Sequence, residues 1–152
     1  MTPSRQIFIS YTPEDETFAA RLANDLLQSG ASVWLDILHA EPGRNWSRSV
    51  ERALAESGMM IVILSPEALV SDHVAAEWQA YLEANRPVLP VIVEACEPPG
   101  PLRTRHPINF TYEKDYPRKF HELMTRLIER NTRIRRHDPV IWSLRDDVSK
   151  LR

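Results

Sequence analysis

Glu77 is the residue of this 152-residue chain best placed to do chemistry. It falls in the stretch Ser71 to Ala84, where Val74, Trp78, Tyr81 and Leu82 recur at helical spacing. Glu77 sits at the margin of that apolar stripe, between Val74 and Tyr81, with His73 four residues earlier on the same side. A carboxylate there, at the margin of a buried face and near the rim of a sheet, can be catalytic. On residue type alone, an ordinary helix carboxylate bonded to a hydroxyl or arginine is the commoner outcome. Asp36 directly follows an apolar run, so it either meets a ligand or holds its loop by an Asx-type turn. Arg44 binds a phosphate or stays solvated. Trp46 opens a helix and packs its loop against it. Tyr11 stacks on a ligand ring or closes the strand it follows. Ser65 and Cys96 have no base in view and are assigned no chemistry.

Other chemistries are excluded by pattern. There is no GxGxxG and no GxxxxGK[ST], and the four glycines are isolated, so a phosphate cradle of backbone amides is not expected. His39, His73, His106, His121 and His137 lack partners at metal-ligand spacing, and no metal site is expected. No GxSxG is present. Acidic residues do not end the first and third apolar runs, which disfavours a phosphoacceptor site.

These residues need elements to position them. Gln6 to Tyr11 reads as a strand. Pro13 to Ser29 reads as a helix with Thr12 as N-cap, Ala19, Leu22, Ala23, Leu26 and Leu27 inward, and Gly30 closing it. Ala31 to Leu35 is a second strand, and residues 36–45 form a loop punctuated by Pro42-Gly43. Trp46 to Ser57 is a helix with Trp46, Val50, Ala53 and Leu54 on one face. Met59 to Leu64, apolar throughout, reads as a strand covered on both sides. Ser65-Pro66 starts a helical turn, Ser71 caps the helix of Glu77, and Pro87 to Val93 is a fourth strand with Pro90 marking it as near an edge or bulged. A loop over 94–107, a short strand at Ile108 to Phe110 and a helix from Pro117 to Arg130 complete the pattern. Alternating strands and helices predict an α/β, flavodoxin-like doubly wound parallel sheet of about five strands with helices on both faces. Ligands of such sheets bind beyond the carboxyl ends of the strands. Those ends are Ser10-Tyr11, Leu35-Asp36, Leu64-Ser65 and Val93-Glu94.

Composition fits one domain. Hydrophobic residues make up 43% and charged residues 26%, as in a soluble globular protein. The longest apolar run, Met59 to Leu64, is too short to span a bilayer, and no signal-peptide core is seen. With a single cysteine, Cys96, the expected location is cytoplasmic. Residues 1–125 carry 11 Lys and Arg against 17 Asp and Glu, whereas residues 126–152 carry 8 against 4. The sequence therefore divides into a domain over 1–130 and a basic extension or linker over 131–152. It gives no case for nucleic-acid binding by the domain itself.

Together these stretches resemble the TIR (Toll/interleukin-1 receptor/resistance) domain, most of all its bacterial members. The resemblance rests on Ile7-Phe8-Ile9-Ser10-Tyr11 with Glu14-Asp15 and Phe18-Ala19, then Gly30 to Asp36. It continues through Pro42-Gly43-Arg44-Asn45-Trp46, Ala53-Leu54 with Ser57, Ile61 to Pro66, and Ser71-x-His73-x-x-x-Glu77. It covers residues 5–130 and implies one of two functions. Some TIR domains are non-catalytic modules that only assemble with other TIR domains. Others cleave the nicotinamide–ribose bond of NAD+, releasing ADP-ribose or a cyclised form, often in antiviral defence or cell death. The resemblance places the catalytic glutamate of those enzymes on Glu77, with NAD+ as substrate and no cofactor. It implies that Ser10 and Tyr11 line the pocket and that Asp36, Arg44 and Trp46 shape its mouth, Arg44 toward the diphosphate. Such enzymes usually carry Trp where this sequence has His73, whose imidazole stacks over less area. Homotypic assembly through loop 36–45, which raises activity, and a sensor domain or protein are the implied partners.

Overall fold

A computed structural model describes residues 6–35 and 48–134. Five parallel strands form one sheet: β1 (Ile7–Ser10), β2 (Val33–Leu35), β3 (Met59–Leu64), β4 (Val88–Ile92) and β5 (Ile108–Asn109), in the order β2-β1-β3-β4-β5. Between and after them run α1 (Glu16–Gln28), α2 (Arg48–Glu56), α3 (Pro66–Leu69), α4 (Asp72–Glu83), α5 (Gly100–Arg103) and α6 (Tyr116–Ile134). This is the doubly wound flavodoxin-like order that the alternation of elements predicts.

Side-chain alternation divides the interior into two cores. Ile7, Ile9, Ile61, Ile63, Leu89 and Val91 meet α1 and α6 on one face. Phe8, Met60, Val62, Leu64 and Val88 meet Ala53 and Leu54 of α2, Val74, Trp78 and Tyr81 of α4, and Leu102 on the other. β3 lies in the middle of the sheet and is buried at every position, which explains its unbroken apolar run. Helix α4 crosses this second face, and Ser71 Oγ caps it by accepting from the Val74 amide at 3.2 Å.

Helix ends follow local chemistry. Gly30, at φ 97°, closes α1 with the Gly30 amide on Leu27 O and the Ala31 amide on Leu26 O. Asn85, at φ 57°, closes α4 in the same way, bonding Leu82 O while Arg86 bonds Tyr81 O. Pro90 belongs to an internal strand one place from the sheet edge. The Val93 amide bonds β3 and Ile92 O accepts from Phe110, so alternation turns the Pro90 nitrogen toward the β5 side. β5 pairs only from Val91 onward, so no ladder donor is missed there.

Some expectations are corrected. Thr12 precedes a 3₁₀ turn over Pro13–Asp15 rather than α1 itself, and its hydroxyl makes no backbone cap. It donates instead to Asp15 Oδ2 at 3.2 Å. Leu27 is 48% exposed, because α1 turns only Ala19, Leu22, Ala23 and Leu26 inward. The segment expected to be a loop over 94–107 contains α5, where Pro101 starts a helical turn and Leu102 is fully buried. The last helix runs through Ile134, past the expected end at Arg130. The expected loop 36–45 and the expected helix start at Trp46 lie outside the described residues.

Candidate active site

The sheet changes winding direction between β1 and β3, and the crevice of such a fold opens beyond their carboxyl ends. Both strands end in a serine or lead directly into one. Ser10, two residues after Phe8, faces the α4 side of the sheet. Its Oγ donates to Glu77 Oε1 at 2.5 Å, and both residues are buried, Ser10 fully and Glu77 to 1% exposure. The second carboxylate oxygen, Oε2, lies 3.1 Å from Nε2 of His73, one turn earlier on α4. His73 is 27% exposed and stands on the solvent side of the pair.

The structure thus brings Ser10, His73 and Glu77 together and buries Glu77 more deeply than its place at the margin of the stripe implies. A buried carboxyl group held at Oε1, with His73 against Oε2, has a fixed position in a poorly solvated setting, where electrostatic interactions with a nearby charge are strong. Tyr11 packs with the core on the opposite face of the sheet. Burial, followed by the carboxylates of Glu16 and Glu77, pushes its phenol up to about 12, so it stays protonated at neutral pH. Asp36, Arg44 and Trp46 lie outside the described residues.

A second serine–carboxylate pair stands at the end of β3. Ser65 Oγ donates to Asp15 Oδ2 at 2.5 Å while accepting from the Ala68 amide at 3.1 Å. Thr12 donates to the same Asp15 oxygen, so three hydroxyl and carboxylate groups tie the β1–α1 connection to the start of α3. Sequence reasoning left Ser65 without a partner. The available signal was the parallel between Ile9-Ser10 and Leu64-Ser65, an apolar strand leading into a serine in each case. Burial raises the Asp15 carboxyl above the ordinary value, against the lowering effect of its bonds to Ser65 and Thr12. Burial also pushes the Cys96 thiol up, helped by Asp15, Glu94 and Glu97, which favours its protonated form. Among the described residues no three of His, Cys, Asp and Glu are grouped to hold a metal ion. No helix among them is long and apolar enough to cross a membrane.

Fold and site together define a doubly wound α/β domain with a buried, hydroxyl-anchored carboxylate at its strand-end crevice. The family model of the TIR domain matches residues 7–124, and the chain belongs to that family. It is 41% identical over 64 residues to PdTIR of Paracoccus denitrificans (strain Pd 1222), named as an NAD(+) hydrolase, a match covering 41% of this chain and 21% of that protein. It is 35% identical over 94 residues to TcpA of Theionarchaea archaeon (strain DG-70-1), also named as an NAD(+) hydrolase, covering 56% and 27%. The matches therefore span about a quarter of the length of these relatives. Among solved structures, the TIR domain of the Toll-related receptor TRR-2 of Hydra magnipapillata superposes with a TM-score of 0.67 at 21% identity, covering 80% of this chain and 96% of that one. At that identity the likeness shows the fold alone.

Proposed function

We propose that this domain cleaves the nicotinamide–ribose bond of NAD+ with Glu77 as its catalytic residue. The observation that carries the reading is the Glu77 carboxylate, buried at the strand-end crevice with Oε1 on Ser10 and Oε2 beside His73. The names of the two curated relatives support the choice of substrate.

The chemistry suits a single carboxylate. Nicotinamide in NAD+ is a pyridinium cation. When the C1′–N bond breaks, both electrons go to the ring nitrogen, so the leaving group departs neutral and needs no general acid. Positive charge develops on the ribose, as in glycoside cleavage. A fixed anion beside it stabilises the transition state more than the ground state. Water adding to C1′ and losing a proton gives ADP-ribose; attack by a nitrogen of the adenine gives a cyclic product. In this reading Tyr11 lies under the pocket, His73 at its entrance, and Asp36, Arg44 and Trp46 at its mouth. Arg44 is assigned to the diphosphate, and assembly through loop 36–45 raises activity.

Glu77→Gln tests the proposal, because it keeps size and an acceptor for Ser10 while removing the charge. Concentrated wild-type protein is expected to consume NAD+, with products resolved by chromatography. The variant is expected to lose at least about 100-fold in turnover, the scale of losing a preorganised electrostatic contact, while melting like the wild type. An intact NAD+ pool with both proteins, even with crowding agents to force association, leaves two readings: a non-catalytic TIR–TIR interaction module, or an effector awaiting its trigger.

A further inference from the structure

Ser10 and His73 approach the same carboxylate from opposite sides, and their surroundings differ. Ser10 has no solvent exposure, and its hydroxyl is spent on Oε1 of Glu77. Its one donor proton is therefore committed to Glu77 and not to a ligand. His73 is partly exposed and stands over Oε2. We infer that Ser10 is a positioning residue, not a substrate contact: through Oε1 it fixes the Glu77 carboxylate, whose Oε2 is itself buried against His73. The kinetic half of this inference rests on the NAD+ reading; the pairing half does not.

The physical argument concerns orientation and charge. Glu77 stands on α4, and a glutamate carboxylate is carried on three rotatable bonds. Ser10 stands on β1, an inner strand of a parallel sheet and one of the most constrained parts of the backbone. A hydrogen bond from β1 to Oε1 converts a mobile anion into one of fixed position. That preorganisation is what makes an electrostatic contact effective in a transition state. The same bond gives the buried charge a donor, without which its burial is costly.

The test has two arms. In the kinetic arm, Ser10→Ala lowers kcat by about 10- to 100-fold, the range for a lost hydrogen bond to a charged group. KM stays within about twofold, because uniform substrate binding is untouched. Ser10→Cys, similar in size with a weaker donor, falls between the two. A rise in KM at unchanged kcat makes Ser10 a substrate contact and overturns the assignment. An unchanged kcat with lowered stability makes the bond a structural tie and also overturns it. The second arm needs no turnover. In urea melts, Ser10→Ala raises the unfolding equilibrium constant by about tenfold when Glu77 is present. In the Glu77→Met background, where no buried charge needs a donor, the same change has little effect. Additive effects overturn the pairing. If wild type leaves NAD+ intact while the melts show coupling, the NAD+ reading goes without support and the hold on Glu77 stands.

Discussion

The Tyr81 hydroxyl donates to the Leu54 carbonyl across 2.7 Å, so the helix that carries Glu77 also closes the C-terminus of α2. The same hydroxyl reaches Ser57 O at 3.2 Å, and Arg86 Nη1 donates to both carbonyls, at 2.8 and 3.3 Å. Arg86 thereby brings a cation to the negative end of the α2 dipole. Tyr81 lies one turn beyond Glu77, on the buried side of α4. These contacts fix α4 on the sheet, and with it the height at which Glu77 meets Ser10.

Tyr81→Phe keeps the ring and removes the hydroxyl. Leu54 O and Ser57 O retain Arg86, so neither carbonyl is orphaned. The expected cost is about 1–2 kcal/mol, read from urea midpoints. Combined with Arg86→Met, the loss exceeds the sum of the two single changes, because the two side chains share acceptors.

The sheet order was legible because each strand is an apolar run and each long helix carries its own periodic stripe. Met59–Leu64 matches its expected bounds because a strand buried on both faces has no polar interruption. Leu27 misled because spacing alone cannot tell the centre of a helix stripe from its edge. α5 was hidden by the prolines around it, which read as loop punctuation although Pro101 suits a first helical turn. At the site, the i, i+4 relation of His73 and Glu77 was readable as local geometry. The Ser10–Glu77 bond spans 67 positions, and the Ser65–Asp15 bond spans 50. Only the folded sheet brings those partners together.

The two leucines that departed from expectation make a paired test. Leu102→Ala removes a fully buried side chain from the α4-side core and is expected to cost about 2–5 kcal/mol. Leu27→Ala changes a largely exposed side chain on a helix and is expected to stay within about 0.5 kcal/mol. Chemical denaturation of the two variants side by side checks both values.

Three of the four tyrosines resist ionisation. Burial is the main cause for Tyr11, Tyr81 and Tyr116. Tyr116 is raised further because its hydroxyl donates to Asp25 Oδ2 at 2.6 Å. An ultraviolet phenolate titration of the native protein at pH 11 is expected to leave Tyr11 and Tyr116 largely un-ionised and to find Tyr81 ionising later than a free tyrosine, whereas denaturant exposes all four. Groups that hold their protons more tightly when folded lose their stabilising contribution as pH rises. Stability therefore falls above about pH 10, where unfolded tyrosine ionises.

Asp15 gives a prediction of opposite sign to the familiar salt-bridged carboxylate. Its folded value is raised, chiefly by burial, so the folded chain binds that proton more tightly than the unfolded chain does. The group favours folding below its unfolded value, and that contribution is lost as pH rises through the raised folded value. At neutral pH the buried charge is a net burden, moderated by its partial exposure to solvent. Asp15→Asn removes the charge. Because Ser65 and Thr12 both donate to Oδ2, one amide oxygen can accept from both hydroxyls in its place. The variant is therefore expected to melt at or above the wild-type temperature at pH 7. Its advantage should shrink as pH falls through the carboxylate range and wild-type Asp15 takes up its proton. A wild-type advantage at pH 7 that disappears on acidification is the pattern of a carboxylate stabilised by its charge. It would show that the hydroxyls of Ser65 and Thr12, not burial, dominate the energetics at the end of β3.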